Sequence, residues 1–246
     1  MNAKDVTLDS EFNKFFLVGD FGTGKSAFAT SMPTPGYVFD FDEGINLYSG
    51  FDFEYSQYDL SWKGWLEFEK ELIQVKKDAI AGKYKSIIVD STTAMTDLAM
   101  QRSMQLDPKR DPTEGPIWNV HYQMVRNLME GKLRQIIALP CNIVVIAHLE
   151  VITDQKTGKV IGLEPLLTGQ LSVKVPGYFS EVYYCTTRRK EDKTQYIIQT
   201  VPIGLQKARS RLSGLAKRLD DFIPNNYNIL MKNLKKPKKG KKDEKK

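Results

Sequence analysis

Residues 14–26 read KFFLVGDFGTGKS, an apolar strand that runs directly into the pattern G-x-x-x-x-G-K-S. Glycines in such a turn let successive backbone N–H groups point inward at an anion. The lysine of the motif provides a positive charge for the β- and γ-phosphates of a nucleotide, and the last hydroxyl is a ligand for Mg²⁺. A plain Gly-rich turn would leave the Lys-Ser pair unexplained. The motif therefore predicts a nucleotide site made of Gly19, Asp20, Phe21, Gly22, Thr23, Gly24, Lys25, Ser26 and Ala27.

The pattern around this motif predicts an α/β fold with a P-loop NTPase core. A helix is expected over 27–32, with its positive N-terminal end facing the phosphates. Apolar strands alternate with helical periodicity, which is typical of a mostly parallel central sheet with helices on both faces. The expected strands cover 15–18, 37–41, 86–89 and 142–147, and the expected helices 62–80, 92–104 and 117–137. Later segments predict a hairpin or a projecting loop over 150–163 and a short helix over 168–175. They also predict C-terminal antiparallel strands in a hairpin over 181–201.

The net charge of +6 is concentrated at the C-terminus. Residues 231–246 hold nine lysines against two acids, a local charge of +7, so the rest of the chain is close to neutral at −1. A Lys-rich segment without apolar residues cannot form a core. We therefore predict one ATPase domain over 1–225 and a disordered tail over 226–246. Attraction of the tail to nucleic acid and simple solubilisation are equally compatible with its composition.

The chain is expected to be cytoplasmic. Its longest apolar runs are too short to span a bilayer, so no membrane partner is expected, and its N-terminus lacks a segment of signal-peptide type. The two cysteines, Cys141 and Cys185, lie beside or within predicted strands and are expected to be buried, reduced thiols.

Acidic residues at the ends of two predicted strands are candidates for catalysis. Asp90 closes the run SIIVD, the Walker B arrangement that holds Mg²⁺; the alternative is an acid that caps the next helix. Asp42 and Glu43 follow the second strand, where a carboxylate could orient the attacking water. Asp40 is expected to lie within that strand end. A turn acid before Gly44 is the alternative role for this cluster.

Three later side chains are further candidates. His148 ends the fourth strand, where a polar group could contact the γ-phosphate or the lytic water and signal to the following loop; the alternative is an ordinary hydrogen-bonded polar residue. Lys207 and Arg209, just past the last strand, could reach across a subunit boundary and stabilise charge on the transferring phosphoryl group. The alternative for these two cations is an exposed basic helix start.

The order of these motifs resembles the small RecA-like ATPases encoded by phages, which are grouped with recombinases and single-strand annealing proteins. The resemblance covers about residues 14–215 and implies an ATPase that uses ATP and Mg²⁺. It also implies that Asp42 or Glu43 activates water and that His148 senses the γ-phosphate. Lys207 and Arg209 correspond to residues that act in trans in the rings or filaments of such homo-oligomers.

The resemblance further implies action on single-stranded DNA in recombination, annealing or repair, with a single-strand-binding protein as a further partner. The residues expected to face DNA are Lys109 and Arg110 in the 105–116 loop, and Lys156 and Lys159 in the 150–164 loop. Neither loop contains the aromatic side chains that usually stack bases.

Two other functions are compatible with the sequence. One is an ATP-gated adaptor that loads a replication or packaging factor without appreciable turnover. The other is a small P-loop kinase, which would need an Arg-rich lid and a pocket for the phosphate acceptor.

Overall fold

The computed structural model describes residues 12–108, 115–213 and 219–235. Within these ranges the strands are β1 (Lys14–Gly19), β2 (Gly36–Asp40), β3 (Phe53–Gln57), β4 (Ser86–Asp90), β5 (Asn142–Thr153), β6 (Val160–Pro165), β7 (Glu181–Lys190), β8 (Lys193–Gln199), β9 (Arg209–Ser210) and β10 (Phe222–Pro224). The helices are α1 (Lys25–Thr30), α2 (Trp62–Ile80), α3 (Thr92–Leu106), α4 (Trp118–Ile137), α5 (Leu171–Lys174) and α6 (Tyr227–Leu234), with short 3-10 helices at Ile45–Tyr48 and Val175–Tyr178.

The strands form one sheet in the order β10-β8-β7-β1-β5-β4-β2-β3. From β7 to β3 all neighbours are parallel, whereas β8 and β10 continue the sheet in antiparallel pairing. These features confirm the predicted RecA-like α/β class with C-terminal antiparallel strands. Parallel pairing also brings the carboxyl ends of β1, β2, β4 and β5 to one edge of the sheet. At that edge Gly19 is in register with His148, and Asp40 with Asp90.

The sheet separates two hydrophobic cores because alternate side chains of each strand point to opposite faces. On one face, Phe16, Val89 and Val145 pack with the apolar sides of α2, α3 and α4. On the other face, Phe15 and Val144 pack with α1 and α6. The expected helices on both faces are therefore present, and the central strands are buried on both sides.

Two strands differ from the prediction. The sequence pattern does not predict β3, FEYSQ, because this strand lies at the edge of the sheet and all of its residues are half-buried or exposed. Without a buried face, the strand has no apolar periodicity to reveal it. β5 is one continuous strand of 12 residues instead of two separate segments. Its second half leaves the core and is paired with β6, so its backbone remains hydrogen-bonded.

The predicted domain boundary at residue 225 is corrected by α6. The side chain of Asn226 caps this helix by accepting a hydrogen bond from the N–H of Ile229. Tyr227, Leu230 and Leu234 are buried against the α1 face of the sheet. The folded domain therefore extends into the segment predicted as a tail, and most of that segment's lysines, in 236–246, lie outside the described residues.

None of the helices in the described ranges is both long and apolar enough to cross a membrane. Cys141 and Cys185 are buried free thiols, as expected.

Candidate functional site

A cavity of about 850 Å³ opens at the edge where the parallel strands end. Its lining includes the P-loop (residues 19–26), the residues that follow β2, and single side chains from β4, β5 and β8. Open α/β sheets bind ligands at this edge because the loops after adjacent strands diverge there. The candidate residues from distant parts of the sequence meet in this cavity.

The P-loop depends on its glycines for its shape. Gly22 and Gly24 have φ values of 69° and 84°, which only glycine adopts readily. A Cβ at Gly24 would also lie 2.7 Å from the side-chain nitrogen of Asn225. Lys25 begins α1, and its Nζ donates hydrogen bonds to the carbonyl oxygens of Gly19 at 3.0 Å and Asp20 at 2.8 Å. Burial lowers the pKa of Lys25.

Ser26 and Asp90 meet at the floor of the cavity. The Ser26 hydroxyl donates to Asp90 Oδ2 at 2.8 Å, and the Tyr48 hydroxyl donates to the same oxygen at 3.0 Å. Burial raises the pKa of Asp90 to about 6, against the effect of the Ser26 hydrogen bond. The carboxylate thus lies beside the motif's hydroxyl, although the two residues are 64 positions apart.

Asp90 does not cap α3, the alternative role that its sequence position allowed, because the next residue makes this cap. Ser91 is the N-cap of α3, and its hydroxyl accepts a hydrogen bond from the N–H of Ala94. The same hydroxyl donates to Asp42 Oδ1 at 3.0 Å. Because Ser91 caps the helix, the Asp90 side chain is free to face the P-loop.

Asp42 and His148 form a pair across the cavity. His148 Nε2 lies 3.1 Å from Asp42 Oδ2. Burial opposes ionisation of Asp42, but the hydrogen bonds from His148 and Ser91 outweigh it, so the pKa of Asp42 lies below its ordinary value. His148 Nδ1 is buried and has no hydrogen-bond partner among the described residues. Asp42 is therefore a fixed, ionised carboxylate at neutral pH.

The other two acids after β2 are placed differently. Asp40 is buried and accepts hydrogen bonds from the N–H groups of Gly44 and Ile45 and from the side-chain amide of Gln57. It therefore stabilises the turn. Glu43 is exposed at the cavity lining with a φ of 56°. Asp42 and Glu43 are the two carboxylates proposed to orient water. In the described residues, only Asp42 has a recorded hydrogen bond on each of its two carboxylate oxygens.

Phe21 contributes a contact that the motif did not predict. Its ring stacks on the His148 imidazole, with centroids 4.4 Å apart and an interplanar angle of 28°. The Lys25 Nζ lies 5.9 Å from the same ring. The variable positions of the P-loop motif give no signal for such a stack. The P-loop and the end of the buried part of β5 are therefore in direct contact.

His148 lies in the middle of β5, which continues into the projecting β5–β6 hairpin. Its backbone N–H donates a hydrogen bond to the hydroxyl of Thr93 on α3. From His148 the strand runs on to Thr153, roughly 17 Å at the rise of a strand. Lys156 and Lys159 are exposed at the hairpin tip, where the Asp154 side chain accepts hydrogen bonds from the loop. These two lysines lie away from the cavity.

Arg209 and Lys207 also lie apart from the cavity. Arg209 is half-buried, and its guanidinium donates to the carbonyl oxygens of Pro176, at 2.9 Å, and Phe179. Lys207 is largely exposed, with its Nζ 3.3 Å from Glu164. Of the two, Lys207 is the better placed to reach a neighbouring subunit, and its role in trans remains a prediction. Lys109 and Arg110 lie outside the described residues.

The C-terminal segment contacts the P-loop from outside the cavity, a contact that no sequence pattern predicted. The side-chain amide of Asn225 donates to the carbonyl oxygen of Gly24 at 2.6 Å. Two residues on, the N–H of Tyr227 donates to the hydroxyl of Ser31, just after α1. Tyr196 from β8 packs beside Gly24 and lines the cavity. The two hydrogen bonds join residues 201 and 196 positions apart, so local sequence carries no signal of them.

A family model described as an AAA domain matches residues 11–212, most of the chain. The solved structures that match include a KaiC-like protein from the hyperthermophilic archaeon Pyrococcus horikoshii OT3. That protein is 12% identical, with a TM-score of 0.41, and the match covers 80% of this chain and 79% of the other. None of the curated proteins matches the chain.

Proposed function

This chain belongs to the AAA domain family of P-loop ATPases, and we propose that it hydrolyses ATP with Mg²⁺ and uses this cycle to act on single-stranded DNA. The observation that carries the ATPase part is the 2.8 Å contact between Ser26 and Asp90. It unites the last residue of the phosphate-binding motif with a buried acid at the end of a neighbouring strand. P-loop ATPases need these two groups together.

The residues at this contact fit a magnesium ion. Ser26 and Asp90 offer a hydroxyl and a carboxylate, the hard oxygen ligands that Mg²⁺ accepts, and both line the cavity. When bound, Mg²⁺ supplies positive charge that neutralises the phosphate oxygens. Binding requires an ionised Asp90, so the pKa of about 6 still permits it at neutral pH.

The protein's own groups then bind the triphosphate and orient water. The P-loop N–H groups and the Lys25 ammonium hold the phosphates. Asp42 accepts a hydrogen bond from the attacking water, because its carboxylate is ionised and fixed by Ser91 and His148. Its low pKa makes Asp42 better at orienting water than at removing its proton, which suits a loose transition state that needs little general-base help.

The coupling to DNA is proposed to run along β5. His148 contacts both Asp42 and Phe21, so a change at the phosphates alters the contacts of its side chain. The same strand leads to the hairpin that presents Lys156 and Lys159. Lysines on an exposed tip attract phosphates without reading sequence. This geometry supports single-stranded DNA as the ligand.

We further propose that the protein works as a homo-oligomer, a ring or filament, in which Lys207 of one subunit reaches the cavity of the next. Arg209 would first have to release the two carbonyl groups it binds. The resemblance of the motif order to phage-encoded RecA-like ATPases supports a role in recombination, annealing or repair, alongside a single-strand-binding protein.

ATPase measurements with and without single-stranded DNA test the proposal. Wild-type protein should turn over ATP, with stimulation by DNA, and Lys25→Ala should abolish turnover. Asp42→Asn should lower the rate about 100-fold or more, whereas the matched variant Glu43→Gln should change it little. Unchanged turnover in Lys25→Ala would refute the site. Tight ATP binding with negligible turnover, even with DNA, would identify the ATP-gated adaptor instead.

One feature of the cavity favours a second candidate, a small kinase. Besides the polar groups, the cavity has an apolar lining made by Phe41, Leu47, Tyr58 and Leu60. A phosphate acceptor could occupy such a space. Transfer of labelled γ-phosphate from ATP to a panel of nucleosides and nucleotides would reveal this activity, and release of free phosphate alone would exclude it for that panel.

A further inference from the structure

An aromatic pair is exposed at the start of α4. The rings of Trp118 and Tyr122 lie with centroids 4.4 Å apart and an interplanar angle of 40°. Trp118 is 68% exposed, an unusual state for the largest apolar side chain. The spacing of four residues places both rings on the same face of the helix. The cavity and the catalytic groups do not involve this pair.

A buried histidine holds the pair in place. His121 Nδ1 accepts a hydrogen bond from the N–H of Ile117 at 2.7 Å. The other ring nitrogen, Nε2, therefore carries the proton and donates to the carbonyl oxygen of Asp107, 3.0 Å away. This bridge fixes the first turn of α4 to the end of α3. It thereby fixes the turn of α4 that carries Trp118.

The surroundings of the pair suit a polyanion. Residues 115–129 contain no Asp or Glu, and their one formal charge is Arg126. Arg126 follows Tyr122 by four residues, so it continues the same helix face by one turn. Its Nη1 lies 3.3 Å from the side-chain oxygen of Gln170, which leaves the guanidinium without an acidic partner in the recorded contacts. The next acid along this face, Glu130, lies one turn beyond Arg126, and its carboxylate is paired with Lys174 Nζ at 3.3 Å.

We propose that Trp118 and Tyr122 form a stacking platform for the bases of single-stranded nucleic acid, with Arg126 contacting a phosphate. This inference rests on the proposed action on single-stranded DNA and assigns it the aromatic residues that the two predicted DNA loops lack. Aromatic side chains stack any base, so the platform binds without sequence preference. The absence of acids on these turns favours a nucleic acid over a protein as the occupant.

Binding of a fluorescently labelled oligothymidylate, measured by anisotropy over a series of salt concentrations, tests the platform. Trp118→Ala should bind about 10-fold more weakly, whereas Trp118→Phe should stay within about threefold of wild type, because a ring remains. The slope of log K against log salt should be unchanged in Trp118→Ala. In Arg126→Ala the magnitude of that slope should fall by about one, the change expected for the loss of one phosphate contact. Trp62→Ala removes another partly exposed tryptophan, 37% exposed on α2, and should bind like wild type.

The possible results distinguish a failure of the platform from a failure of the proposed action on single-stranded DNA. Wild-type affinity in Trp118→Ala, with DNA binding otherwise intact, would overturn the platform alone. No binding by the wild type at low salt, with and without ATP, would overturn the platform and the DNA function together. If Trp118→Ala keeps its DNA affinity but loses self-association, the surface is a protein interface and the inference is wrong. Thermal melting of each variant confirms folding. If Trp118→Ala does not fold, Tyr122→Ala removes the other ring of the pair, should weaken binding in the same way and provides the test.

Discussion

Asp90→Asn should make the protein more stable at neutral pH while it removes the carboxylate of the proposed magnesium site. Asp90 is 4% exposed, and burial raises its pKa to about 6, from an ordinary value of 3.8. Between these two values the folded protein keeps a proton that the unfolded chain has released. The contribution of Asp90 to stability therefore falls as pH rises from about 4 to about 6 and is constant above that range. A pKa difference of about two corresponds to about 3 kcal/mol, which is the cost of the buried charge at neutral pH.

An asparagine side chain at this position carries no charge, so the variant escapes this cost. Its amide oxygen can still accept the hydrogen bonds from Ser26 and Tyr48, but its NH₂ group needs an acceptor. We therefore expect a net gain of about 1 to 3 kcal/mol above pH 7 and little difference near pH 4. This difference in the free energy of unfolding is measured by urea unfolding of the wild type and of Asp90→Asn from pH 4 to pH 8, without nucleotide or Mg²⁺. Ligands are left out because they would stabilise the wild type selectively.

Asp42→Asn is the matched control because its pKa is shifted in the opposite direction. Hydrogen bonds from His148 and Ser91 hold the pKa of Asp42 below its ordinary value despite burial. Its contribution to stability is present above the unfolded pKa and is lost as pH falls through the folded pKa. Asp42→Asn should thus destabilise the protein at pH 7, and less so in acid. A stability difference for Asp90→Asn that is independent of pH, or that favours the wild type at pH 8, would refute this reasoning.

Three further variants test contacts that the fold creates. Leu230→Ala, in the buried face of α6, should lower the free energy of unfolding by about 2 to 5 kcal/mol. The neighbouring residue Ile229 is 38% exposed, so Ile229→Ala should lower it much less. Equal effects of the two variants in urea unfolding would show that α6 does not pack as described. Asn225→Ala removes the hydrogen bond to Gly24 and should weaken ATP binding about tenfold by calorimetry; the same affinity as wild type would contradict a role in shaping the P-loop. Phe21→Ala removes the ring stacked on His148, a contact worth about 0.5 to 1.5 kcal/mol. This variant should reduce the stimulation of the ATPase by DNA more than it reduces the affinity for ATP. Phe21→Tyr keeps a ring and should retain both.

The sequence alone determined the parts of this protein that depend on local pattern. The strand–Gly-rich turn–helix order at residues 14–30 predicted the phosphate-binding site, because backbone shape and charge are set by adjacent residues there. Buried parallel strands such as β4 and the first half of β5 are continuous apolar runs, and amphipathic helices such as α2 show their period of 3.6. Acids and a histidine at strand ends could be predicted to meet, since parallel strands share an edge.

Tertiary structure decided which of these groups touch. The placement of β5 between β1 and β4 is a property of the sheet order, and it brings His148 against both Asp42 and the P-loop residue Phe21. The contact of Asn225 with Gly24 likewise joins residues that are 201 positions apart. Such contacts depend on how far-separated elements pack, and a residue's neighbours in sequence carry no record of that packing. Two elements could not be predicted from local sequence. The edge strand β3 has no buried face, so its sequence shows no apolar period. The helix α6 runs into a lysine-rich segment that dominates the local composition.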